Sequence, residues 1–156
     1  MLLWTLMAIK IPFTNREMKN AWDQNLRAVL QVKEQDRTNA HRLLLFYAVE
    51  CGLKALIMKV KRQSRTDGLD SDILTHDINK LLKELHAQGD LVLRRTQMVP
   101  IKKNNRKSKD TRTVEPKDFN QMWRYGGQST GGLSDKEIEA KLLKIVEWIK
   151  FELKKT

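Results

Sequence analysis

Cysteine occurs once, at Cys51, so the chain closes no disulfide within itself. That fits a reducing compartment, and a cytoplasmic protein is expected. Cys51 also lies in the most apolar stretch, where thiols serve as packing rather than as nucleophiles. Histidine is nearly as scarce. His41, His76 and His86, with a single cysteine, make no closely spaced ligand set, so neither a metal nor an organic cofactor is expected. The apolar run from Met1 to Ile9 falls far short of the roughly 20 residues that cross a bilayer. Its first positive charge, Lys10, follows the run instead of preceding it as in a secretory signal. Residues 1–15 therefore read as an apolar arm that packs on the core or on a second subunit, with Met7 as an alternative start, and no membrane partner is expected. Alternating strand patterns and internal repeats are missing too.

Acid is in short supply: 30 Lys and Arg face 19 Asp and Glu, leaving a formal charge of +11 and a pI near 9.9. The excess is concentrated between Arg94 and Arg124. Arg94, Arg95, Lys102, Lys103, Arg106, Lys107, Lys109, Arg112, Lys117 and Arg124 stand there against Asp110, Glu115 and Asp118. Charge of one sign packed so densely answers to an anionic partner, which favours RNA, DNA or a nucleotide. An acidic protein docking on the same face is the alternative partner. The segment also holds Pro100, Pro116 and the low-complexity run KKNNRKSKDTR, so residues 94–118 are expected to form a mobile basic insertion.

What remains is helical in pattern. Met18, Trp22, Leu26, Val29 and Leu30 recur at three and four residues, with Thr14 or Asn15 as N-cap. From Thr38 to Lys61 the chain is apolar over more than half its circumference, the signature of a central helix. Ala48, Gly52 and Ala55 are small residues that let a neighbouring helix approach. Thr75 opens a short helix through Ile78, Leu81, Leu82 and Leu85, with Gly89 placed to end it. Phe119, Met122, Trp123 and Tyr125 return the chain to the core. Ser134 and Glu137 form a capping box before Ile138, Leu142, Ile145, Val146, Ile149 and Leu153. The expected architecture is a single all-α domain: an up-and-down bundle of four to five helices with a long basic loop before the last.

Four constellations carry possible chemistry. Gly126-Gly127-Gln128-Ser129-Thr130-Gly131-Gly132 leads into a helix and can cradle phosphate on backbone amides, or it is a hinge; it is not a Walker A motif. Arg37 and His41, at i and i+4, can share a helix face as phosphate clamp and proton shuttle, or be solvated. His76-Asp77 has the look of a metal dyad but lacks further ligands, so a capping role is the stronger reading. Trp123 and Tyr125 flank Arg124 and can stack on bases.

The order of these parts resembles the HEPN superfamily. The residues that carry the likeness are RLLLFYAVECGLKALI (Arg42 to Ile57), Thr75-His76-Asp77-Ile78-Asn79-Lys80-Leu81-Leu82, Arg124-Tyr125-Gly126 and a closing amphipathic helix. The resemblance implies a helical bundle, often a homodimer, with RNA or nucleotide as ligand. It further implies a component of a prokaryotic defence or toxin–antitoxin system, with a protein partner from the same operon. Catalytic members carry Arg-x(4–6)-His in a late helix. Here the last helix has no histidine, and Arg37-Thr38-Asn39-Ala40-His41 has only three intervening residues. The expectation is a non-catalytic binding module that uses Arg94, Arg95, Lys102, Lys103, Arg106, Lys107, Lys109, Arg112, Arg124, Tyr125, Gly126 and Gly127. The alternatives are a divergent metal-independent ribonuclease, for which His76, His41 and Arg37 are the candidates, and a protein-interaction subunit.

Overall fold

The computed structural model describes residues 11–104 and 108–155. Most of the apolar arm (Met1 to Lys10), and Arg106 and Lys107 of the basic segment, lie outside the described residues. Helix α1 (Asn15–Leu30) starts at Thr14. Its hydroxyl accepts from the Glu17 amide at 3.1 Å, while the Glu17 carboxylate accepts from the Thr14 amide at 2.9 Å. The entering strand of chain is tied to the loop after α2, with the Thr66 amide donating to the Phe13 carbonyl at 2.8 Å.

Helix α2 (Asn39–Val60) runs through the centre and packs on α1 and on every later helix: α3 (Ile78–Glu84), α4 (Phe119–Arg124) and α5 (Asp135–Lys154). Leu45, Phe46, Val49, Leu53, Ile57 and Met58 on α2 are buried, as its apolar circumference requires. Gly52 lies against Trp22 of α1 and Ile149 of α5, so a small residue serves close packing here. Among the described residues no helix is long and apolar enough to cross a membrane.

Helix α3 begins later than Thr75, and Asp77 takes the capping role expected of it, accepting from the Lys80 amide at 3.2 Å. Its last turn closes through His86 in the left-handed region (φ 53°), where the Ala87 amide reaches back to the Leu82 carbonyl at 3.0 Å. Gly89 instead opens a separate turn, Gly89–Leu91. At α5 the Ser134 hydroxyl accepts from the Glu137 amide at 3.1 Å, and Ile138, Leu142, Ile145, Val146 and Ile149 are buried along one stripe.

The larger correction concerns residues 94–118. The fold is mostly helical but not all-α: β1 (Thr96–Lys102) and β2 (Lys109–Val114) form an antiparallel hairpin where a mobile loop was expected. Thr96 pairs with Val114, Met98 with Arg112, and Ile101 with Asp110, so β1 carries one extra residue around Val99 and Pro100. A bulge at that place accommodates a proline that has no amide to donate. Arg112 lays its guanidinium across the bulge, donating from Nε at 2.9 Å and from Nη2 at 2.7 Å to the Val99 carbonyl.

Candidate nucleic-acid interface

The hairpin's base is held on its β1 side. Ahead of it, the Asn79 side chain bonds the Leu93 amide at 2.8 Å and the Leu93 carbonyl at 2.9 Å, which fixes the chain just before Arg94. At the base itself the Thr96 hydroxyl meets the Ser129 hydroxyl at 2.6 Å, and the Gln97 carbonyl accepts from the Thr130 amide at 2.8 Å and the Gly131 amide at 3.1 Å. At the far end Lys102 and Lys109 are register partners. Like charges directly opposite destabilise a strand pair. Neither lysine has an ion-pair or hydrogen-bond partner among the described residues, and Arg94 and Lys117 are equally free. Arg95 faces Glu115 at 3.8 Å and Lys103 faces Asp110 at 3.3 Å, both in the open, where such pairs contribute little.

Helix α4 ends beside the hairpin. Gly126 takes φ 76° and lets the Gly127 amide return to the Met122 carbonyl at 2.7 Å, a helix stop that explains the glycine after Tyr125. Trp123 is buried and donates from Nε1 to Asp135 at 2.9 Å, whereas Tyr125 is 78% exposed and does not return to the core. The glycine-rich run is a structural connector here. Its Gly126, Gly127, Thr130, Gly131 and Leu133 amides donate to carbonyls of the chain, and the Ser129 amide to Asp135, so they form no phosphate cradle. Between hairpin and α4 lies an open cleft of about 590 Å³, walled by Met98, Val99, Arg112, Gln121, Tyr125 and Gln128 among others.

A second cluster adjoins Arg124. Its guanidinium donates to the Tyr47 hydroxyl, and the Tyr47 ring stands 6.3 Å from that of His76. His76 meets the Glu50 carboxylate through Nδ1 at 2.5 Å, and Glu50 also receives Lys54 at 2.9 Å. Lys54 is fully buried, while the His76 side chain is 41% exposed. Burial alone pushes the Glu50 carboxyl up, but the His76 hydrogen bond and the charges of Lys54 and His76 outweigh it and hold it below its ordinary value. The result is a histidine oriented by a buried carboxylate and open to solvent, with Tyr47 between it and Arg124. Tyr47, Glu50 and Lys54 were not singled out from sequence. The available signal was a lone acid and a lysine four residues on, inside an otherwise apolar helix.

Arg37 and His41 do not form the pair expected of them. Arg37 precedes α2, at the end of a short turn (Glu34–Asp36), and its Nη1 reaches Glu139 of α5 at 3.1 Å. Arg42 faces the other oxygen of Glu139 at 3.2 Å, a charge contact whose angle falls short of a hydrogen bond. His41 caps α2, its Nδ1 accepting from the Thr38 amide at 3.0 Å. Among the described residues no three His, Cys, Asp or Glu side chains gather as a metal site would need. No family model, no curated protein and no solved structure matches the chain.

Proposed function

We propose that this chain is a non-catalytic nucleic-acid-binding module whose single-stranded ligand lies along the basic hairpin and the exposed end of α4. The observation that carries this reading is the pairing of Lys102 with Lys109, two unneutralised cations set opposite each other in a folded hairpin. That arrangement costs stability unless an anion bridges it. Arg94 and Lys117 stand just before and just after the hairpin in the chain and Arg124 at the end of α4, adding positive charge to this region, and Tyr125 offers an exposed ring on which a base can stack. The resemblance to the HEPN superfamily supports RNA over DNA, a homodimer, and a role as a component of a prokaryotic defence or toxin–antitoxin system. Gel shift with a 15-nucleotide single-stranded RNA tests the reading. The Lys102→Glu/Lys109→Glu double variant is expected to bind at least about tenfold more weakly, with its circular dichroism spectrum intact. Equal affinity of the two proteins overturns it.

A second reading rests on the His76–Glu50 dyad: a metal-independent ribonuclease in which Nε2 of His76 exchanges the proton and Arg124 holds the phosphate. Incubation of total RNA with the protein in EDTA decides it. Cleavage that disappears in His76→Gln supports this reading, and intact RNA removes it.

A further inference from the structure

The cleft between the hairpin and α4 holds polar groups that the fold does not use. Asp118 occupies the N-cap position of α4, yet its carboxylate makes no hydrogen bond to the first-turn amides, in contrast to Asp77 at α3. Gln121 lies one turn on and Tyr125 one turn further, so the three share one side of α4 and all line the cleft. Gln128 lines it from the loop beyond α4. Among the described residues, neither the Asp118 carboxylate nor the two glutamine amides has a hydrogen-bond or charge partner. Met98 and Met122 supply an apolar floor, and the Tyr125 ring stands open at the rim. Arg112 reaches the same cleft with Nη1 unoccupied, its other nitrogens being engaged on Val99. A cavity of about 590 Å³ is of the size that takes a small planar ligand.

The chemistry of these groups selects among bases. An ionised carboxylate accepts only, so it pairs best with an edge that presents two adjacent donors. On the Watson–Crick edge, guanine alone offers this, through N1–H and N2–H₂. Adenine and cytosine place an acceptor beside their amino group, and uracil flanks its single N–H with carbonyls. Glutamine amides complete the match by donating to O6. The base must be unpaired for this edge to be free, as it is in a single strand.

Resting on the reading of the chain as a nucleic-acid-binding module, the geometry points to a guanine-specific base pocket in this cleft. Asp118 accepts from N1–H and N2–H₂, Gln121 or Gln128 donates to O6, Tyr125 stacks on the ring, and Arg112 meets the flanking phosphate. The test is fluorescence anisotropy with the full chain and labelled ten-nucleotide RNAs, all uridine or with one central guanosine, adenosine or cytidine. A parallel titration uses guanosine monophosphate against the other three nucleoside monophosphates. The single guanosine is expected to tighten binding about tenfold over the all-uridine strand. Asp118→Asn, which replaces one acceptor oxygen by a donor, is expected to remove that ratio. Equal affinity for all four strands, or a preference that survives Asp118→Asn, overturns the pocket while polynucleotide binding itself stands. Guanosine monophosphate bound selectively without any strand bound keeps the pocket and removes the nucleic-acid reading. No binding of either probe removes both.

Discussion

Gly52→Ala sets two effects of opposite sign against each other in the centre of the bundle. Alanine is the better helix former by about 1 kcal/mol, so on propensity alone the variant gains stability. The new Cβ, however, sits 2.5 Å from Cε3 and 2.9 Å from Cζ3 of Trp22, and 3.0 Å from Cγ2 of Ile149. None of these is the loose end of a flexible side chain. Trp22 is 7% exposed and Ile149 fully buried, so α1 or α5 must move to relieve the contact. Overpacking of this kind costs about 1–3 kcal/mol, and a contact this short belongs at the upper end. The net expectation is destabilisation of about 1–2 kcal/mol, a fall in Tm of about 3–6 °C for a chain of this size. Thermal unfolding followed by circular dichroism reads it directly. The companion variant Trp22→Leu frees the space, so the double-mutant cycle should show that Gly52→Ala costs less in that background, with a coupling of at least about 0.5 kcal/mol. A Gly52→Ala protein as stable as the parent would refute the close approach of α1 and α5 to α2.

The buried charges give a pH signature. Because the folded-state pKa of Glu50 is lowered from 4.5, its contribution is complete above that value and is lost as pH falls through the folded pKa. Denaturant melts at decreasing pH should show this acid limb, and the Glu50→Gln/Lys54→Met double variant should lack it. Glu50→Gln alone strands a fully buried Lys54 and should cost about 3–5 kcal/mol by urea denaturation. His86→Gly is expected to raise stability by about 1 kcal/mol, since a non-glycine residue at φ 53° carries a penalty that glycine does not. No gain there would mean that the imidazole stabilises the end of α3 by as much as the strain costs. The Cys51 thiol is pushed up to about 11, first by burial and then by the charge of Glu50. Its reaction with a disulfide reagent at pH 8 should run about 100-fold slower than that of a free thiol; reaction at the free rate would contradict this.

Where hydrophobic period governs structure, the chain announces its elements. Thr14 with Glu17, the stripe from Ile138 to Ile149 and the apolar girth of α2 need only local spacing to be read, and each takes its expected form. The hairpin is silent for a physical reason: both its faces are largely exposed, so Thr96–Lys102 and Lys109–Val114 carry no alternation of apolar and polar residues. Pro100 within β1 argues further against a strand, and only the bulge resolves the conflict. The candidate site is hidden differently. His76 finds Glu50 across 26 residues of sequence, and Asp118 matters because of bonds it does not make, which no spacing rule encodes. Charge density picks out the segment that folds as the hairpin, and Tyr125 at the end of α4 lines the cleft beside it.

The salt dependence of single-stranded RNA binding tests the central claim most directly. With four to five free cations on the face, log K should fall linearly with log salt at a slope of about −3, a loss of about 60-fold between 50 and 200 mM. The Lys102→Glu/Lys109→Glu variant should show a shallower slope by about 1 or more. A slope near zero, or no binding at 50 mM salt, would contradict a polyanion-binding face on the hairpin and α4.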